Sequence, residues 1–166
     1  MIRVVVMGVS GSGKSSVGAG IAAAMGVPFL EGDSLHPARN VTKMAAGTPL
    51  NDDDRWPWLD QIGATLAKAE AGIVVSCSAL KKVYRDRLRE QAGAPLAFVF
   101  LDGSEAVLRE HMAKRTGHFM PVSMLDSQLA TLESPVGEPL VLRQDVSETI
   151  DVIVEKCVAW LSKLAA

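Results

Sequence analysis

The sequence predicts an open, doubly wound α/β sheet of five parallel strands. Three observations carry that prediction. Short β-rich apolar runs alternate with longer helical patterns along all 166 residues. Four of the five runs are nearly continuous apolar stretches, as strands buried on both faces of a parallel sheet require. A glycine-rich loop links the first run to the first helical pattern, and every candidate functional residue falls after a strand end, where open parallel sheets bind ligands.

The expected elements run in order. "RVVVM" (3–7) is the first strand, and 14–25 is the first helix. "PFLE" (28–31) leads to a helical stretch at 35–46, and a longer one spans 54–70. "GIVVSC" (72–77) precedes a helix at 79–91. "LAFVFL" (96–101) precedes helices at 104–115 and 122–132. "PLVL" (139–142) is the last strand, followed by a helix at 147–164. In that helix Ile150, Ile153, Val154, Cys157, Val158, Leu161 and Leu164 form one apolar stripe, while Asp151, Glu155, Lys156 and Lys163 rule out a membrane span.

Composition bounds the class. Hydrophobic residues make up 48% and charged residues 22%, a globular balance in one domain over residues 1–166. A net charge of −2 gives no reason to expect nucleic-acid binding. No stretch is apolar and long enough to span a membrane, and the N-terminal run is too short for a signal-peptide core, so the cytoplasm is the expected compartment. Cys77 and Cys157 both sit in apolar runs and read as buried, reduced thiols.

"GVSGSGKS", from Gly8 to Ser15, matches the phosphate-loop pattern G-x-x-x-x-G-K-[ST] between a strand and a helix. Gly8, Ser10, Gly11, Ser12, Gly13, Lys14, Ser15 and Ser16 are the expected nucleotide-binding residues. Backbone N–H groups wrap an anion there, and the helix N-terminus adds its positive end. Lys14 reaches the β- and γ-phosphates of ATP or GTP, and the Ser15 hydroxyl is placed for Mg²⁺. "FVFLD", ending at Asp102, imitates a Walker B strand but opens the loop into the next helix, so it reads as a decoy.

A phosphate loop alone does not separate a kinase from a hydrolytic switch. "PFLEGDSLHP" puts Glu31 and Asp33 at the end of the second strand. Asp33 lies farther past the strand and is the better acceptor for a substrate hydroxyl proton; Glu31 can organise Mg²⁺ through water. The bland alternative is a solvated turn with a helix cap at Ser34. His36, Arg39, Asn40 and Lys43 lie on or just before one helical stretch at i, i+3, i+4, i+7, so they share a face, which reads either as substrate-facing or as a solvated helix surface. In "LNDDDRWPWL" three aspartates precede Arg55. They read as a metal site, a solvated acidic turn, or a frame for Arg55. Pro57 favours a first helical turn there, which puts the cap near Asp54 and makes the aspartates a frame. Arg55 offers a planar fork for a carboxylate or phosphate. Trp56 and Trp58 read as core or pocket wall.

"GVSGSGKS", "GDSLHPARNVTKMAAGTPLNDDDRWPWL", "CSALKKVYRDRLR" and "GHFMP" occur in an order and spacing that strongly resemble the gluconate kinases, over most of residues 4 to 135. The resemblance implies a nucleoside-monophosphate-kinase-like fold with a mobile lid at about 115–130. It implies a substrate-binding helical region at about 34–70 and transfer of the ATP γ-phosphate to the 6-hydroxyl of D-gluconate. It carries the substrate-side role onto Asp33, His36, Asn40, Lys43 and Arg55. Ser78 and Lys81 follow the third strand in its "CSALKK" block. Arg115 just before "GHF" would reach the transferring phosphoryl group, His118 would sit on the lid, and Gln128 could face the substrate from the helix beyond. A homodimer is also implied. The sequence departs from the pattern at His111, where an arginine is common. Two other readings stay open: a kinase of the same fold acting on a related sugar acid, shikimate or a nucleotide, and a nucleotide-switched binding module.

Overall fold

The computed structural model describes residues 2–114 and 123–165. Five strands form one parallel sheet: β1 (Arg3–Met7), β2 (Phe29–Glu31), β3 (Ile73–Ser76), β4 (Leu96–Asp102) and β5 (Val141–Asp145), in the order β2-β3-β1-β4-β5. β1 lies centrally, with Val5 opposite Val75 on one side and Phe98 on the other. Val4 to Met7, Val74, Val75 and Phe98 to Leu101 are all buried, as the continuous apolar runs require. Helices α1 (Lys14–Met25), α2 (Ala38–Ala45), α3 (Asp52–Lys68), α4 (Lys82–Ala92), α5 (Glu105–Ala113), α6 (Ser123–Thr131) and α7 (Ile150–Ala165) complete the described chain. None is long and apolar enough to cross a membrane.

The sheet and its order agree with the expected doubly wound architecture, and five local expectations need correction. β5 begins later than "PLVL" and runs on through Arg143, Gln144 and Asp145. It is an edge strand paired only to β4, so one side is open and polar residues are tolerated. The helix expected at 35–46 is two pieces, a 3-10 turn at Gly32–Leu35 and then α2, because Pro37 ends the first and caps the second. His36 therefore precedes the helix, yet its ring still meets Asn40 of α2, with Nδ1 3.2 Å from Nδ2. α4 starts at Lys82, after an extended loop in which Ala79 adopts a left-handed φ of 45°. The apolar stripe of α7 is buried only at its centre, through Ile153, Cys157 and Leu161; Ile150 and Leu164 are each 40% exposed.

The cap of α3 is the fifth correction. Asn51, not Asp54, is the N-cap. Its side-chain oxygen accepts from the Asp54 N–H at 2.8 Å, and the Asp54 carboxylate accepts from the Asn51 N–H at 3.0 Å, a reciprocal capping box. Pro57 thus lies in the second turn, not the first. The placement rule failed because the box already holds the N-terminus, so one missing N–H further in is tolerated.

Candidate active site

The strand ends place the site. β1 delivers the chain into the phosphate loop, and Gly13, at φ 91°, is the left-handed residue that turns it into α1. An L side chain there would be strained, so glycine is required by the turn. Lys14 opens α1 and donates to the Val9 carbonyl at 3.1 Å, so its ammonium lies along the loop. The Gly8 N–H meets the Ser78 carbonyl at 3.4 Å, tying the loop to the end of β3. The Ser10 N–H donates to Gln128 Oε1 of α6 at 2.7 Å.

β2 adds the acidic residues. Glu31 accepts from Ser15 Oγ and from Ser76 Oγ, each at 2.5 Å, while Ser76 Oγ accepts from the Gly32 N–H at 3.2 Å. A Cβ at Gly32 would lie 1.9 Å from the Ser76 carbonyl, so only glycine lets β2 leave the sheet beside β3. Ser34 donates to the Glu31 carbonyl and caps no helix. Asp33 lines the cleft beside Lys14.

His36 is held in one tautomer. Asn40 Nδ2 donates to the Asp54 carbonyl at 2.9 Å and lies 3.2 Å from His36 Nδ1. An amide nitrogen can only donate, so Nδ1 accepts and the ring proton sits on Nε2. Nε2 is 3.8 Å from Asp33 Oδ1. The ring stacks on Trp58 at 4.0 Å, and Trp58 Nε1 donates to the Gly32 carbonyl at 2.8 Å. Burial is the main cause that pushes the His36 pKa down to about 4; Asp33 opposes it and Arg55 adds to it.

These elements enclose a cleft of about 310 Å³. It brings together Ser10, Gly11, Gly13, Lys14 and Ser15 with Asp33, His36, Arg55, Ser78 and Gln128. Three expected substrate residues do not line it. Lys43 pairs with Asp54 at 2.5 Å, and Asn40 braces His36 as described. Lys81 pairs with Asp52 at 3.4 Å. Lys43, and then the Asn51 N–H, hold the Asp54 carboxyl below its ordinary range. Arg115 and His118, with most of the expected hinge, lie outside the described residues. Sequence reasoning missed Met44, Leu50, Leu80 and Met124 as cleft walls. Met44, Leu50 and Leu80 lie inside the quoted blocks but carry no chemistry that marks them as pocket wall, and only the fold brings α2, the loop before α3, the loop after β3 and α6 together.

A second recess, of about 460 Å³, opens behind the loop, lined by Ser12, Ser16, His111, Lys114 and the segment from Val146 to Ile150. His111 Nδ1 lies 3.0 Å from the Gly11 carbonyl. A carbonyl only accepts, so His111 donates and braces the loop. Asp102 accepts from Arg143 at 2.8 Å and lines neither recess, in keeping with a decoy.

A phosphate loop with its lysine, facing an acidic residue and an arginine across a cleft at the carboxyl ends of a parallel sheet, defines a P-loop kinase. An AAA-domain family model matches residues 4–135. The chain is 47% identical over 157 residues to a gluconokinase of Gluconobacter oxydans (strain 621H), covering 93% of this chain and 88% of that protein. It is 44% identical over 159 residues to the thermosensitive gluconokinase of Escherichia coli (strain K12), covering 92% and 83%. The crystal structure of a gluconokinase from Sinorhizobium meliloti 1021 matches with a TM-score of 0.92 and 60% identity, over 99% of this chain and 93% of that one. The chain belongs to the gluconokinase family, and it is an ATP-dependent kinase.

Proposed function

We propose that this chain transfers the γ-phosphate of ATP to the 6-hydroxyl of D-gluconate, giving 6-phospho-D-gluconate and ADP. The observation that carries this reading is one cleft lined by Lys14, Asp33 and Arg55. Phosphate binds on the loop N–H groups and Lys14. The acceptor lies across the cleft, its carboxylate on the Arg55 fork. His36 Nε2–H and Ser78 meet its hydroxyls, and Met44, Leu50 and Met124 contact its C–H faces.

Asp33 accepts the proton as the 6-hydroxyl oxygen bonds to γ-phosphorus and the bond to the β-γ bridging oxygen breaks. Lys14 stabilises the charge that develops there. The donor set fits Mg²⁺, since Ser15 and Glu31 supply hard oxygens beside the loop. Bound there, the ion would neutralise phosphate charge. The cytoplasm, where ATP is at hand and both buried cysteines stay reduced, is the compartment that suits this reading. The homodimer implied by the resemblance belongs to it too.

The test is an acceptor screen with ATP and Mg²⁺, reading ADP release. Gluconate-dependent release, with phosphorus NMR placing the new ester on C6, supports the proposal. Release that responds to shikimate or a nucleoside monophosphate in place of gluconate, or to no acceptor at all, overturns it.

A further inference from the structure

Two buried arginines stand on the acceptor side, and their partners differ in kind. Arg85 is fully buried, and its fork is closed by an anion. Nε and Nη2 donate to the two carboxylate oxygens of Glu138 at 2.9 and 2.7 Å, and Nη1 donates to the Ala79 carbonyl at 2.8 Å. Glu138 takes up the whole Nε–Nη2 edge, which makes the guanidinium a structural clamp on the loop after β3.

Arg55 is 9% exposed and lines the cleft. Its Nη1 donates to the Tyr84 hydroxyl at 3.0 Å, and its Cζ lies 5.3 Å from the Tyr84 ring centroid. The Tyr84 hydroxyl in turn donates to Asp52 Oδ1, which also accepts from Lys81. Trp56 meets the Tyr84 ring edge-on at 5.6 Å. Proton direction along this chain is fixed. Arginine only donates, the phenol accepts once and donates once, and the carboxylate ends the series.

From this geometry we infer that Tyr84, backed by Asp52, is a positioning residue that holds the Arg55 fork for an anionic acceptor and so sets the preference for sugar acids over neutral polyols. The inference rests on the reading that Arg55 binds the acceptor carboxylate. A neutral hydroxyl in the space between Arg55 and Asp52 fixes the guanidinium without supplying an anion to compete for it. If Asp52 met Arg55 directly, as Glu138 meets Arg85, the fork would be consumed. With Nη1 tied to the phenol, the edge formed by Nε and Nη2 is the one presented to a substrate. That edge matches two carboxylate oxygens side by side. Burial pushes the Tyr84 pKa up to about 12, with its hydrogen bond to Asp52 adding to the effect, so the phenol stays protonated throughout the working range.

Tyr84→Phe tests this, because it keeps the ring that packs on Trp56 and removes only the hydroxyl. The expected result is a gluconate KM raised about tenfold, the loss of one hydrogen bond to a charged group, with kcat and the ATP KM within about twofold of the native enzyme. In an Arg55→Lys background the same change should have almost no further effect on gluconate KM, since lysine has no fork to position. A purely structural role would instead lower the melting temperature in both backgrounds and leave gluconate KM alone, which would overturn the inference. If Arg55→Lys raises gluconate KM and Tyr84→Phe does not, the positioning role fails while the carboxylate reading stands. If neither variant moves gluconate KM, the carboxylate reading itself fails, and the inference with it.

Discussion

The phosphate loop and the N-terminus of α3 face each other across one cleft and are built by opposite means. The loop works largely with backbone. Its N–H groups, a left-handed Gly13 and the start of α1 make the anion site, and Lys14 and Ser15 are its main chemical side chains. The acceptor side works with side chains that need outside support. His36 depends on Asn40 and Trp58, Arg55 on Tyr84 and Asp52, and Asp54 on Lys43 and Arg39. A backbone site tolerates change around it if the loop conformation survives. A site of braced side chains can be retuned one brace at a time, which is how one fold can serve different acceptors.

The largest effects should come from the groups that touch the reacting atoms. Asp33→Asn keeps size but loses the proposed base, so kcat should fall about 10²–10⁴-fold while ATP affinity by titration calorimetry is nearly unchanged. Lys14→Met should lower kcat about 10²–10³-fold. If Asp33→Asn instead abolishes ATP binding and spares kcat, Asp33 belongs to the nucleotide side and the division between the two regions breaks.

Effects on stability sharpen the same contrast within the acidic run. Asp54 is 2% exposed and serves both the capping box and Lys43, so Asp54→Ala should cost about 2 kcal/mol in denaturant unfolding. Its contact with Arg39 adds little, because that side chain is 71% exposed. Asp53 is exposed and makes no side-chain hydrogen bond to the described residues, so Asp53→Ala should stay within about 0.5 kcal/mol. Equal losses at both positions would return the aspartates to a generic acidic turn.

The last effect is a pH slope. His36 has a folded pKa of about 4 against an ordinary value of 6.5, so the unfolded chain takes up its proton first as pH falls. Its contribution is complete above about pH 6.5 and is lost between there and about pH 4, by up to about 1.4 kcal/mol per pH unit. Unfolding midpoints of the native protein and His36→Gln should therefore converge as pH is lowered through that window. Parallel curves would mean that the ring is not held neutral.

The same division explains what the sequence made legible. The phosphate loop could be read directly because glycines, lysine and serine at fixed spacing specify a backbone shape. The sheet could be read because burial on both faces leaves continuous apolar runs. Across the cleft, Asp33, His36 and Arg55 were legible as residue types that the fold brings together, but the contacts that brace them were not. Asn40 and Lys43 carry the chemistry of substrate ligands, yet the fold turns them onto His36 and Asp54. Lys81 likewise turns to Asp52. Tyr84 lies 29 residues from Arg55, on another helix, and no local pattern announces that pairing. Pro57 alone points to a later start for α3, whereas the Asn51 to Asp54 box decides where the helix begins.

On the proposed reading, the braced Arg55 selects an anionic acceptor. The most direct test compares kcat/KM for D-gluconate with that for D-gluconamide, which keeps the hydroxyls and removes the charge. The native enzyme should prefer gluconate by about ten- to hundredfold, the value of one charge-assisted contact, and Arg55→Lys should erase most of that preference. An unchanged preference in Arg55→Lys, or equal use of both acceptors by the native enzyme, would contradict the account.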